Sequence, residues 1–234
     1  MNRTAIKTIA LSSVLLGVWQ VQAQDTKSPY PSMAPLEQYL ITDRNAEIAL
    51  ARSAAPPSVS NDAKVLVLGR NGYETAVEGK NGFVCVVERA WMSKFDSPEF
   101  WNPRGRGPDC YNPPAARTVL PILFLRTKFV LAGKSREEIY ESMKAAIEKK
   151  ELPPLEPGGM AYMLSKQGHL NDRTGPWLPH LMFYVPLKDA KTWGAGAPDS
   201  PIMINSHFNG APEPVTEFMV ALSEWSDGTP ADTH

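Results

Sequence analysis

Reactive side chains are scarce in this chain of 234 residues, which has two cysteines and four histidines. No Cys-x-x-Cys, His-Glu-x-x-His or Gly-x-Ser-x-Gly occurs, so a thioredoxin-type pair, a zincin helix and a lipase-type serine elbow are all excluded. Charge of one sign is also lacking: 24 Lys and Arg stand against 25 Asp and Glu, a net charge of −1. A chain so balanced has no long-range pull on a phosphate backbone or an anionic lipid surface, which argues against nucleic acid as a partner. Nor is any apolar run long enough to span a bilayer. Ile9–Val18 is short and broken by Ser12, Ser13 and Gly17, and the later apolar stretch from Ile122 is interrupted by Arg126 and Lys128.

What is present begins with the amino terminus. Arg3 and Lys7, the apolar run after them, and the small residues of Val21-Gln22-Ala23 form the three-part pattern of a secretory signal cut after Ala23. No cysteine follows the apolar run, which argues against a lipid anchor. The expected placement is secreted or periplasmic, an oxidising compartment. There Cys85 and Cys110 are expected to form one disulfide, because their separation suits neither a redox motif nor a metal-binding pair. Proline is abundant, 22 residues, and the hydrophobic fraction of 43% fits a globular core held by irregular connections.

Along the chain, residues 24–41 read as a flexible leader, 42–226 as a single domain and 227–234 as a disordered tail. Thr42 or Asp43 caps a helix to about Ala54, which Pro56-Pro57 stops. Asn71-Gly72 and Asn81-Gly82 then separate three strand-like segments, Lys64–Arg70, Tyr73–Lys80 and Phe83–Ala90, and predict a three-stranded antiparallel meander. In that register Leu66, Val77 and Val86 align on one face. Val67, Ala76 and Val87 align on the other, where Glu74 faces Arg89 and Cys85 also lies. Trp91–Ala116 reads as a long loop. A helix is expected from Thr118 to Gly133, and Ser135-Arg-Glu-Glu138 is a capping box for another, stopped by Pro153-Pro154. Gly159–Ser165, His180–Pro186, Ile202–Ser206 and Pro214–Trp225 read as strands. The order predicts an α+β fold with an antiparallel sheet, at least three helices and one disulfide.

Candidate functional residues are few. Trp91, Trp101 and Tyr111, with Phe95 and Phe100, make the long loop either a recognition surface or a satellite core, and Arg104 and Arg106 between glycines could hold an anion. His180 shares a strand face with Met182 and Tyr184. The spacing of His169, His180 and His207 gives no metal motif, and no cofactor is expected. Asp109 and Glu224 read as ordinary carboxylates.

At Asn81-Gly82-Phe83-Val84-Cys85, Ala161-Tyr162-Met163-Leu164-Ser165 and Pro179-His180-Leu181-Met182-Phe183-Tyr184 the chain resembles a family of uncharacterised exported bacterial proteins. The resemblance covers about residues 35–210 and implies export and a single domain, with no catalytic residue to carry over. The leading expectation is a non-catalytic binding protein for a small molecule or an envelope component, with Trp91, Trp101, Arg104, Arg106, Tyr111, His180 and Tyr184 around its ligand. The alternatives are a hydrolase using His180 or His207 as general base and a protein-interaction module.

Overall fold

The computed structural model describes residues 29–173, 175, 178–186, 190–205 and 210–231. The expected signal Met1–Ala23, together with His207 and His234, lies outside them. The α+β class holds. One eight-stranded mixed sheet runs in the order β2-β1-β3-β4-β5-β6-β8-β7. Its strands are β1 Lys64–Gly69, β2 Gly72–Val77, β3 Val84–Glu88, β4 Gly107–Tyr111, β5 Met160–Met163, β6 His180–Pro186, β7 Ile202–Asn205 and β8 Val215–Ala221. The helices are α1 Arg44–Arg52, α2 Pro57–Ser60, α3 Pro113–Thr118, α4 Leu120–Leu131 and α5 Arg136–Glu148.

The first three strands are neighbours as expected, but with a different order and register. β1 and β2 form the antiparallel hairpin, closed by Gly69 opposite Gly72, so Arg70 and Asn71 are its turn. Only Gly72 takes a positive φ there (115°), so the turn is not the type that needs left-handed backbone at both central residues. Leu66 consequently faces Thr75, and a bulge beside Val65 places that residue opposite Val77. At Asn81-Gly82 no second hairpin closes. β3 passes to the far side of β1 and pairs with it in parallel, Lys64 beside Val84. Gly79 makes the crossing feasible, since a Cβ there would sit 2.2 Å from the Lys64 nitrogen. The expected Glu74–Arg89 pair is therefore not formed: Glu74 binds Arg44 at the exposed rim, while Arg89 turns inward to Glu47.

The stretch Trp91–Ala116 is not one loop. It contains a 3-10 turn at Ala90–Met92, the fully buried strand β4 and the start of α3. β4 reads Gly-Pro-Asp-Cys-Tyr, a poor strand former, and it is held by neighbours on both sides. Cys85 and Cys110 are direct partners across β3 and β4, and their disulfide joins the two strands at mid-sheet.

The helix expected from Thr118 is α4, which begins at Leu120; Thr118 instead closes α3, which lies largely in the stretch read as a loop, and its Oγ1 donates back to the Pro114 carbonyl rather than capping the next helix. Asp43 and Ser135 cap α1 and α5 as read from the sequence, the second through a complete capping box. The stretch read as a leader contributes Tyr39, fully buried, whose hydroxyl donates to the Trp101 carbonyl at 2.7 Å. The stretch read as a tail is hydrogen-bonded as far as Ala231.

Both sheet faces are covered. Against one lies α1, closing a small core of alanines around Val65, Val87 and the disulfide. Against the other lie α4, with α5 packed on it, and the segment from Ala90 to Asn102, closing the main core around Val86, Tyr111, Met182 and Met219. The aromatics of that segment point inward: Trp91 is 0% exposed, Phe100 1% and Trp101 4%. They form a packed subsidiary core, with Trp101 edge-on to Phe100 at 4.7 Å and Trp91 tilted on Tyr39 at 5.2 Å. Among the described residues no helix is long and apolar enough to cross a membrane.

Candidate ligand cavity

Alternation along the central strands decides what reaches the main core. On β6, His180, Met182 and Tyr184 are buried while Leu181, Phe183 and Val185 are less so, as period-two patterning requires. Pairing then aligns His180 with Met163 of β5, Met182 with Met219 of β8, and Tyr184 with Glu217. The same face of β3 and β4 presents Glu88 and Asp109.

Where this face meets the Ala90–Lys94 turn and the Gly105–Gly107 strand entry, the packing leaves a cavity of about 230 Å³. Its apolar wall is thioether-rich, with Met92, Met163, Met182 and Met219, and its polar groups include Glu88, Arg106, His169 and His180. Gly107 keeps the floor low, since a Cβ there would touch the Glu88 side chain and the Met163 methyl at 3.6 and 3.7 Å. Arg106 and His169 bridge the rim through reciprocal backbone hydrogen bonds of 2.8 Å.

The titratable groups around the cavity are strongly perturbed. Burial raises Glu88 to about 7, against a smaller opposing pull from the Tyr111 hydroxyl, which donates to its Oε1, and from Arg126. Asp109 is wholly buried, and neither of its carboxyl oxygens makes a hydrogen bond of normal geometry. Desolvation, reinforced by Glu88 and Glu217, pushes it well above the carboxylate range. Tyr111 and Tyr184 stack at 6.0 Å beside these acids, and both phenols are pushed up, first by burial. Among the described residues, five carboxyls are buried (Glu47, Glu88, Asp109, Glu213 and Glu217) against two arginines, Arg89 and Arg126. Those arginines are engaged by Glu47 and Glu213. An excess of buried acid is tolerable only if part of it is protonated. His180 Nδ1 lies 2.6 Å from the Leu178 carbonyl, which only accepts, so the proton sits on Nδ1. Burial lowers the pKa of the ring and keeps it neutral.

Of the residues singled out from the sequence, His180 and Arg106 meet at this cavity. Arg106 spends its guanidinium on the Pro103, Gly105 and Gln38 carbonyls and is no open anion site. Arg104 lies at the surface against Asp172 and Tyr30. Tyr111 and Tyr184 sit behind the cavity in the acid cluster, and Trp91 and Trp101 support it from the core. His169 lies at the rim bonded to Asp172. Sequence reasoning passes over Glu88 and, apart from Met182, the methionines, and Asp109, which it reads as an ordinary carboxylate, is instead wholly buried. A glutamate on the inward phase of Val84-Cys85-Val86-Val87-Glu88, two residues after Val86, was the readable sign.

Among the described residues no group of three His, Cys, Asp or Glu is arranged to hold a metal ion. Comparison with protein-family models, with characterised proteins and with solved structures finds no match for the chain.

Proposed function

We propose that this is an exported binding protein whose ligand is a small molecule seated in the methionine-lined cavity beside β6. The carrying observation is the cavity itself: an apolar wall with a few converging polar groups, among them a carboxyl raised to about 7 and a buried neutral imidazole, between rigid strands and a covering segment. Its volume of about 230 Å³ is below the roughly 300–1,000 Å³ of pockets for drug-sized ligands. The ligand is correspondingly small. Glu88 near neutrality can donate or accept a hydrogen bond, which suits a ligand with an amine, hydroxyl or amide on an otherwise apolar body.

Export is supported by the leader pattern at Met1–Ala23 and by the buried disulfide. The hydrolase reading finds Ser93 and His180 at the same cavity, but the buried Ser93 hydroxyl has no hydrogen-bond partner, so this pair does not form a nucleophile–base couple. A protein-interaction role for the aromatic segment loses its surface, because Trp91, Phe100 and Trp101 are packed inside.

The test is a thermal-shift screen of small amines, alcohols and amides against the full chain and against Met182→Phe, which fills the cavity. Compounds that stabilise the wild type and not the filled variant support the reading. Equal stabilisation of both proteins by every active compound places the ligand elsewhere and overturns it.

A further inference from the structure

The segment that follows α5 builds a second cavity. Lys150, in left-handed backbone (φ 57°), ends that helix. Its amide donates to the Ile147 carbonyl and the Glu151 amide to the Ala146 carbonyl, both at 2.9 Å, which fixes the exit of the chain. Further along, Glu156 is fastened to α3, where Arg117 Nε and Nη2 donate to its two carboxylate oxygens at 2.9 and 2.6 Å. Between these anchors Pro153 and Pro154 have fixed φ and no N–H, so the middle of the strap has no amide with which to tie itself down. Under it lies a cavity of about 900 Å³, walled by Leu152 and Leu155 of the strap, Ile122 of α4, Ile147 of α5 and Val215 of β8. Pro186, the direct partner of Val215 across β6 and β8, and Pro214 stiffen its rim at the end of the sheet. Protein interiors are close-packed, and an apolar space of this size left empty costs stability that a guest restores.

Glu213 sets what that guest must carry. It is a buried residue of the cavity wall. Its Oε1 accepts from Arg126 Nε at 2.7 Å, whereas its Oε2, equally out of water, has no hydrogen-bond partner. An acceptor stranded in this way is stabilised by a donor that reaches it. Arg126 already balances the carboxylate, so an added cation would leave a net charge in an apolar space, and an anion would meet the carboxylate itself. A neutral donor avoids both costs. Lys150 and Glu151, exposed and of opposite sign, lie on the solvent side of the cavity and select neither charge. The volume falls within the roughly 300–1,000 Å³ of pockets for drug-sized molecules. We infer that this cavity binds an uncharged, largely apolar alcohol whose hydroxyl donates to Glu213 Oε2. The site shares no lining residue with the cavity beside β6 and does not depend on the reading given to that one.

Farnesol, kept below its solubility limit, is the probe. Farnesyl methyl ether, farnesoic acid and farnesylamine are controls that share its apolar body. The full chain, labelled with ¹³C at its isoleucine δ1 methyls, is titrated with each compound. Farnesol is expected to saturate at one equivalent, shifting the Ile122 and Ile147 methyls and leaving Ile48, packed on the small core of the opposite sheet face, unmoved. The ether has no donor and the acid and the amine carry charge, so each is expected to bind at least about 10-fold more weakly. Leu155→Trp, which fills the cavity from the strap, is expected to abolish binding, and Met182→Phe to leave it unchanged. Four outcomes overturn the inference: no saturable binding at micromolar farnesol, shifts confined to isoleucines other than Ile122 and Ile147, an ether that binds as tightly as the alcohol, or loss of binding in Met182→Phe alone. The titrations of the wild type decide the first three and need neither variant to fold. A protein that ignores farnesol while the screen above still separates wild type from Met182→Phe loses this site and keeps the cavity beside β6.

Discussion

Arg89 Nη2 donates to Glu47 Oε1 at 2.8 Å with both side chains out of water, joining the end of β3 to α1. The same guanidinium donates to the Tyr39 and Val87 carbonyls, and the same carboxylate oxygen accepts the Leu68 amide at 3.0 Å. The pair thus stitches the segment before α1, the helix and two strands. Removing one member leaves the other charge buried, which costs about 3–5 kcal/mol, whereas replacing both with apolar groups is often nearly neutral. Glu47→Ala and Arg89→Ala are each expected to lose most of the stability of the domain in urea denaturation. The double variant Glu47→Leu/Arg89→Met is expected to recover part of it. A double variant whose loss equals the sum of the singles would show that the pair is not coupled.

The disulfide closes a sequence separation of 25 residues between adjacent strands, with both cysteines fully buried. On the chain-entropy argument such a link stabilises by about 3–4 kcal/mol. Cys85→Ala/Cys110→Ala is expected to lower the urea midpoint accordingly while leaving the folded spectrum intact. Because no sulfur is exposed, reduction by dithiothreitol without denaturant is expected to proceed only at the rate of unfolding. Rapid reduction of the native protein would contradict the burial.

Much of this architecture is legible from residue order, and the parts that are not share a cause. Caps and periodicity are local, so Asp43, Ser135 and the inward phase of His180, Met182 and Tyr184 are readable and hold. β4 is not readable, because Gly107 to Tyr111 has no strand propensity of its own and is specified by the disulfide and by neighbours distant in the chain. The parallel placement of β3 is hidden for a similar reason. It depends on Gly79 passing against Lys64, and the Asn-Gly sequence that suggests a hairpin says nothing of that contact. The cavity was half visible. His180 stood out by type, whereas Glu88, Met163, Met182 and Met219 look like ordinary strand residues until four strands, β3, β5, β6 and β8, bring them to one face. Aromatic density in Trp91–Tyr111 pointed to a surface that the fold uses as core.

Asp172 fastens the cover of the cavity. Its carboxylate accepts from the Tyr30 hydroxyl, from His169 Nε2 at 3.0 Å and from Asn102 Nδ2 at 2.9 Å, and pairs with Arg104. These contacts, led by the Tyr30 hydroxyl and His169, hold its pKa far below the usual carboxylate range. Asp172→Ala is expected to speed amide exchange selectively at residues 102–106 and 169–173, leaving β3 and β6 protected. If the cavity is a binding site, the same variant is expected to raise the dissociation rate of a bound compound more than it lowers the association rate. Unchanged exchange at the rim would show that the latch does not hold the cover.

Glu88 gives the protein a pH dependence of unusual sign. A free glutamate titrates near 4.5, and this one is raised to about 7 by burial. A carboxyl whose pKa is higher in the folded state binds its proton more tightly there, so it supports folding fully below pH 4.5 and loses that contribution as the pH rises through about 7. The difference amounts to something on the order of 3 kcal/mol between the two limits. Asp109 is raised by the same desolvation and acts in the same direction, while His180, depressed by burial, acts in the opposite one. Comparison at a single site separates them. Glu88→Gln keeps an acceptor for the Tyr111 hydroxyl and removes the titration. Urea unfolding at pH 5 and pH 8 is therefore expected to show a smaller loss of stability on going to pH 8 in Glu88→Gln than in the wild type, with the variant the more stable of the two at pH 8. Parallel pH profiles for the two proteins would mean that Glu88 is ionised in the core at neutral pH, and the protonated-acid account of this buried cluster would fall with it.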